Sequence, residues 1–178
     1  MPNSSDGNSS GAADLPSVVI RGATLADAPA LCAIYNPYIA ETVISFEEEP
    51  VAVETMQSRI AEVTSGHPWL VAEREGRVVG YAYATAWRTR TAYRHSVEST
   101  VYLDASCVGR GVGTALYREL IERLRFAGVR QVMGGIALPN EASVALHERL
   151  GFRKVAHFEA VGWKFGQWID VGYWQRSL

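Results

Sequence analysis

Residues 107–116 read CVGRGVGTAL, with glycine at 109, 111 and 113. A strand-like run, VESTVYL at 97–103, comes before them. An apolar repeat follows: Val112, Leu116, Leu120 and Leu124 recur every four residues, with Ile121 beside them, and Gly128 closes the pattern. Glycine is costly at such a junction unless the backbone bends tightly or approaches something closely. Strand, glycine loop and helix in that order put the loop at a helix N-terminus, where unpaired N–H groups and the helix dipole favour an anion. A pyrophosphate fits there. A P-loop is excluded, because no lysine follows Gly113. The GxGxG spacing also misses the GxGxxG dinucleotide fingerprint, and the strand before it lies late in the chain. A tight turn that binds nothing remains a reading of these glycines alone.

The rest of the chain supports one globular unit. SVVIRGA (17–23) reads as a first strand, and Thr24 with Asp27 as a variant capping box before a helix carrying Leu31, Ile34, Tyr35 and Tyr38. Pro37 is expected to disturb the last turn of that helix. Met56, Ile60 and Val63 mark a second helix over about 52–64. WLVAERE and VVGYAYATAW flank Glu75-Gly76 as a hairpin. VRQVMGGIA (129–137) is a strand, NEASVALHERLGF a helix closed by Gly151, and VAHFEAVGWKF and DVGYWQRSL two final strands. This order predicts a mixed α/β (α+β) fold, with helices flanking a central mixed sheet. Residues 1–16, rich in Ser, Asn, Gly and Ala, read as a disordered tail, and 17–178 as a single domain. The chain has 178 residues, 48% of them hydrophobic, and a net charge of -2, which favours neither a nucleic-acid surface nor an anionic membrane. No apolar run is long enough to span a bilayer. Two cysteines, far apart, with no basic and apolar leader, point to a reduced, cytoplasmic protein.

VGRGVGTALYREL followed by ALPNEASVALHERLGFRKV resembles the GNAT superfamily of N-acetyltransferases. IYNPYIAETVISFEEEP, PWLVAE, AYRHSVESTVY and GWKFGQWIDVGYWQ resemble its phosphinothricin and methionine sulfoximine N-acetyltransferase branch. These segments run from residue 34 to about 175. The resemblance implies an acyl-CoA N-acyltransferase fold with a mostly antiparallel sheet. It implies acetyl-CoA as cosubstrate, and a small amino acid such as phosphinothricin, methionine sulfoximine or methionine sulfone as acceptor. One departure is Val108, where the superfamily loop usually carries Gln or Arg; backbone amides are indifferent to that change.

Acyl transfer to an amine needs a proton acceptor, a stabilised carbonyl oxygen and close orientation. Glu98 shares one strand face with Thr100 and Tyr102 and matches the catalytic glutamate of the resembled family; alone it also reads as a solvated strand residue. His147 matches the histidine of the closer branch, as a proton relay or an aid to the leaving sulfur, or else packs as an ordinary helix histidine. Val101, Tyr102 and Leu103 are expected along the pantetheine arm. Gly109, Arg110, Gly111, Val112, Gly113 and Thr114 are expected around the pyrophosphate. Asn140 reads as a pantetheine contact, an N-cap, or both. Arg88 and Arg90 match basic positions of the substrate loop and suit a carboxylate or phosphinate; exposed surface arginines are the alternative. Phe46, Tyr93 and Thr100 complete the expected substrate pocket, though Phe46 and Tyr93 read equally as core. The histidines show no metal-ligand spacing, so no metal is expected. The C-terminal aromatic segment reads as a homodimer interface or as a Trp-rich strand pair. Two other functions stay open: acetylation of a protein or peptide, and a non-catalytic acyl-CoA sensor. A closed pocket around Arg88 and Arg90 argues against the first, and retention of Glu98 and His147 against the second.

Overall fold

A computed structural model describes residues 18–178, so the expected tail at 1–16 lies outside the described residues. The strands are β1 (Val19–Gly22), β2 (Trp69–Arg74), β3 (Arg77–Ala86), β4 (Ser96–Leu103), β5 (Gln131–Leu138), β6 (Arg153–Lys164) and β7 (Gln167–Ser177). The helices are α1 (Ala28–Glu41), α2 (Val53–Thr64), α3 (Val112–Phe126) and α4 (Glu141–Arg149). The strands form one seven-stranded sheet in the order β1-β2-β3-β4-β5-β7-β6. Every neighbouring pair is antiparallel except β4–β5. That pair is joined by the α3 crossover, the connection that parallel strands need.

Alternation along the strands feeds two apolar layers. Trp69 and Val71 of β2 and Tyr81 of β3 join α1 and α2 in one cluster. Leu70, Ala72, Ala82 and Ala84 join Leu116, Leu120 and Leu124 of α3 in the other. The tight turns follow local backbone chemistry. Glu75 and Gly76 both take positive φ, as do Phe165 and Gly166, which is the geometry of a two-residue hairpin turn.

The start of α1 is fixed by charge. The Asp27 carboxylate accepts from the Thr24 N–H at 2.8 Å and from both Arg21 terminal nitrogens at 2.8 Å. A short 3-10 turn, Leu25–Asp27, comes before the α-helix. Pro37 does not disturb the last turn of the helix, contrary to the sequence expectation: α1 runs through the proline to Glu41. The ring removes one N–H, but Leu31, Ile34, Tyr35 and Ile39 stay buried on both sides of it, and that packing holds the helix.

Candidate active site

The β4–β5 ladder has three rungs: Ser96↔Gln131, Val97↔Val132 and Glu98↔Met133. Both strands continue beyond it, β4 to Leu103 and β5 to Leu138, and they splay apart. On its other side β4 stays paired with β3 up to Gly80↔Leu103. The Asp104 N–H bonds Val79 O across to β3. Alternation therefore turns the Val101 and Leu103 amides toward the splay, where no strand meets them. The Leu103 carbonyl on that edge accepts from the Tyr38 hydroxyl at 2.7 Å.

The glycine loop lies at the end of this open edge. Gly109 and Gly111 have φ of 77° and 83°, a left-handed conformation natural to glycine, and Gly111 is the N-cap of α3. Gly113 serves packing instead: a Cβ there would sit 3.3 Å from Leu103 and 3.4 Å from Leu146. The first amides of α3, at Val112, Gly113 and Thr114, lie in the first turn and lack intrahelical acceptors. Asn140 caps α4 by accepting from the Ser143 N–H at 3.1 Å.

Two consecutive glycines of β5 face opposite sides of the sheet at the mouth of the splay. On one side, a Cβ at Gly135 would stand 3.1 Å from Glu98 Oε1 and 3.2 Å from the Tyr173 ring. On the other, a Cβ at Gly134 would stand 2.4 Å from His147 Nε2. Glu98 and His147 thus occupy opposite faces.

The Glu98 face opens into a cleft of about 1030 Å³, whose lining includes Phe46, Trp87, Arg88, Tyr93, Glu98 and Tyr173. The Glu98 carboxyl is pushed above its ordinary value, chiefly by burial; the Tyr173 hydroxyl and the charge of Arg88 act against that rise. The Arg88 guanidinium stacks 4.2 Å over Trp87. Phe46 leans over β6, where a Cβ at Gly162 would meet its ring at 2.3 Å. The Lys164 ammonium, 2% exposed, donates to Ile39 O at 2.7 Å and Ser45 O at 2.6 Å, tying the Phe46 loop to β6. Tyr102 reaches this cleft too, but its ring packs against Tyr35 at 4.7 Å and Tyr38 at 5.1 Å. Thr100 shares the strand face with Glu98 and lies opposite Tyr83 in the β3–β4 ladder. Arg90 is exposed and outside the cleft lining.

His147 is 3% exposed. Its Nδ1 lies 2.8 Å from Ser143 O, and a carbonyl can only accept, so Nδ1 carries the hydrogen. Nε2 then accepts from the Tyr117 hydroxyl at 3.1 Å. Tyr117 touches Ser99 Oγ at 3.2 Å, and Ser99 donates to Met133 O at 3.1 Å, one step past the facing carboxylate. Burial pushes the imidazole below the ordinary histidine value, which favours its neutral form. The chain Ser99–Tyr117–His147 therefore borders the end of the ladder from the face opposite Glu98. Sequence reasoning singled out His147 but not Ser99 or Tyr117, nor Tyr173, Gly134, Gly135 and Lys164. A Gly-Gly pair inside a strand is the one available signal, since such glycines mark close approach.

Among the described residues, no group of three or more His, Cys, Asp or Glu side chains is placed to hold a metal ion.

Residues 20–172 match the family model described as "Acetyltransferase (GNAT) domain". The chain is 43% identical over 161 residues to the phosphinothricin N-acetyltransferase of Streptomyces viridochromogenes, covering 90% of this chain and 88% of that protein. It is 38% identical over 164 residues to the L-methionine sulfoximine/L-methionine sulfone acetyltransferase of Pseudomonas paraeruginosa, covering 91% and 95%. Its fold is similar to the crystal structure of a phosphinothricin acetyltransferase from Sinorhizobium meliloti in complex with AcCoA. The TM-score is 0.87 at 39% identity, with 90% and 88% of the two chains covered.

Gly134→Ala is expected to destabilise the protein by about 1–3 kcal/mol in urea unfolding, because the methyl displaces the His147 ring from Tyr117. A neutral or stabilising effect contradicts this packing.

Proposed function

The chain belongs to the GNAT acetyltransferase family, and from that premise we propose that it transfers the acetyl group of acetyl-CoA to the α-amine of a small amino-acid-like acceptor. The acceptor class is that of phosphinothricin, methionine sulfoximine and methionine sulfone, the compounds in the names of its relatives. The observation that carries the reading is one juxtaposition. The unpaired edge of β4 ends at the last rung of the ladder, and the residue on that rung is Glu98, facing the cleft.

The residues present suit acetyl-CoA. The left-handed turns at Gly109 and Gly111 have open space where a Cβ would stand, and the free amides of the first turn of α3 follow them. Such a nest favours a pyrophosphate, with Gly109 to Thr114 around it. Val101, Tyr102 and Leu103 border the path of a pantetheine arm, and Asn140 stands at the head of α4. Acetyl-CoA supplies an activated acyl carbon and a thiolate leaving group. A strand amide at Val101 donates to the carbonyl oxygen as charge grows there. Glu98 takes the proton that the amine nitrogen loses as the N–C bond forms and the C–S bond breaks. Arg88 supplies a cation for the acceptor's carboxylate or phosphinate, with Phe46 and Tyr93 as walls. Arg90 and Thr100 lie outside the cleft lining and act at most at its margin. His147 acts through Tyr117, holding the polar chain that borders the slot.

We further propose that the protein is a homodimer through the β6–β7 hairpin. Trp163 is 53% exposed and Trp168 66%, with Val161 and Phe165 alongside, an apolar patch of the kind a second copy covers. A cytoplasmic location accords with the free, buried thiols of Cys32 and Cys107. No described helix is long and apolar enough to cross a membrane.

With acetyl-CoA and phosphinothricin, Glu98→Gln is expected to lower kcat by about 10²–10⁴-fold in a thiol-release assay while acetyl-CoA binding stays intact. Burial raises the Glu98 carboxyl. The wild-type rate should therefore fall as pH drops through a midpoint above the ordinary glutamate value, since only the deprotonated form accepts a proton. An unchanged kcat in the variant overturns the assignment. For the assembly, light scattering is expected to give a dimer for the wild type and a monomer for Trp168→Glu. A monomeric wild type contradicts the hairpin interface.

A further inference from the structure

Tyr173 lies on β7 directly opposite Gly135 in the β5–β7 ladder. Because residue 135 has no side chain, the phenol ring and the Glu98 carboxylate come together over bare backbone. A single methyl at that position would stand 3.1 Å from Glu98 Oε1 and 3.2 Å from the ring carbon that bears the hydroxyl. The ring is clamped. Trp87 meets it edge-on at 5.4 Å and 75°, and Phe158 does so at 5.8 Å and 83°. The ring is thus held beside the carboxylate by packing on two sides.

We infer that Tyr173 is a positioning residue for the amine site: its hydroxyl donates to Glu98 and fixes the carboxylate so that its free lone pairs face the cleft. The inference rests on the reading of Glu98 as proton acceptor. The remaining groups around Glu98 act without such a contact. Arg88, which follows β3, exerts its charge from the cleft wall, while Tyr83 of β3 and Tyr117 of α3 sense the carboxylate only through its field. Tyr173 is the one whose hydroxyl, as a donor, draws the carboxyl down, while the phenol is itself raised, first by burial and then by the charge of Glu98. A donor to the ionised form stabilises that form, so losing the hydroxyl moves the carboxyl midpoint to higher pH.

The test is a carboxyl titration by ¹³C NMR of the full chain, with the Glu98 signal assigned by its loss in Glu98→Gln. Tyr173→Phe keeps the ring and is expected to move the Glu98 midpoint up by about half to one pH unit. The acid limb of kcat/KM for acetyl-CoA and phosphinothricin should move with it. Gly135→Ala, which wedges a methyl between the two groups while leaving both in place, should shift the midpoint in the same direction. In the Glu98→Gln background, Tyr173→Phe should cause no further loss of rate, because its effect passes through the carboxylate. A midpoint unmoved by Tyr173→Phe, or an equal rate loss with and without Glu98, overturns the inference. Full activity of Glu98→Gln overturns the proton-acceptor reading itself, and with it the catalytic sense of the contact. The titration still reports separately whether Tyr173 touches Glu98.

Discussion

Three rungs of parallel pairing, and then none, set the terms for this molecule. β4 and β5 hold together from Ser96 to Glu98 and then diverge, so β4 presents backbone donors to a gap inside the sheet. An unpaired edge within a sheet is costly unless something satisfies it. The surrounding structure keeps the gap open. β3 holds the far side of β4 along its length, and β7 pairs with β5 from Gln131 to Leu138. α3 follows β4 and α4 follows β5, so the two helix N-termini belong to the two strands that diverge. An extended ligand with a thioester at one end and a pyrophosphate further along suits that geometry. In the proposed reading, the strand amides satisfy the arm and the glycine nest meets the charge.

The mouth of the gap is built from small residues. Gly134 and Gly135 clear opposite faces of one strand, so a neutral imidazole and an ionisable carboxyl reach the same place from two sides. The two groups are shifted by the same cause with opposite results. Burial raises the acid Glu98 and lowers the base His147, and in each case the neutral form gains. The carboxyl keeps a connection to solvent through the cleft and can exchange its proton there. The imidazole is closed in by Tyr117 and Ser143, with the Tyr117 hydroxyl donating to Nε2 and Nδ1 donating to Ser143 O.

Much of this was legible in the residues. The glycines at 109 and 111, the four-residue apolar repeat after them and the Asn140 cap all act locally, and their signals are local. The alternation that puts Glu98, Thr100 and Tyr102 on one face is likewise a property of a single strand. Less visible were features that depend on which strands become neighbours. Tyr173 lies 75 residues beyond Glu98 and meets it only because β7 inserts between β5 and β6. Lys164 reads as a surface lysine in sequence, yet it is buried against carbonyls at the end of α1 and in the loop beyond it. Pro37 shows the reverse case, in which a local signal that disturbs a helix's last turn yields to tertiary packing. The separation of Arg88 from Arg90 belongs to the same class, since positions two residues apart in one loop find different surroundings.

In the proposed reading the open edge of β4 and the glycine loop together receive acetyl-CoA. Amide hydrogen exchange with and without acetyl-CoA addresses it directly. Protection is expected at Val101, Leu103 and the amides from Gly109 to Thr114, with little change in β1, β2 and α2. Binding that leaves those amides exchanging as before, or that protects a different surface, contradicts the account.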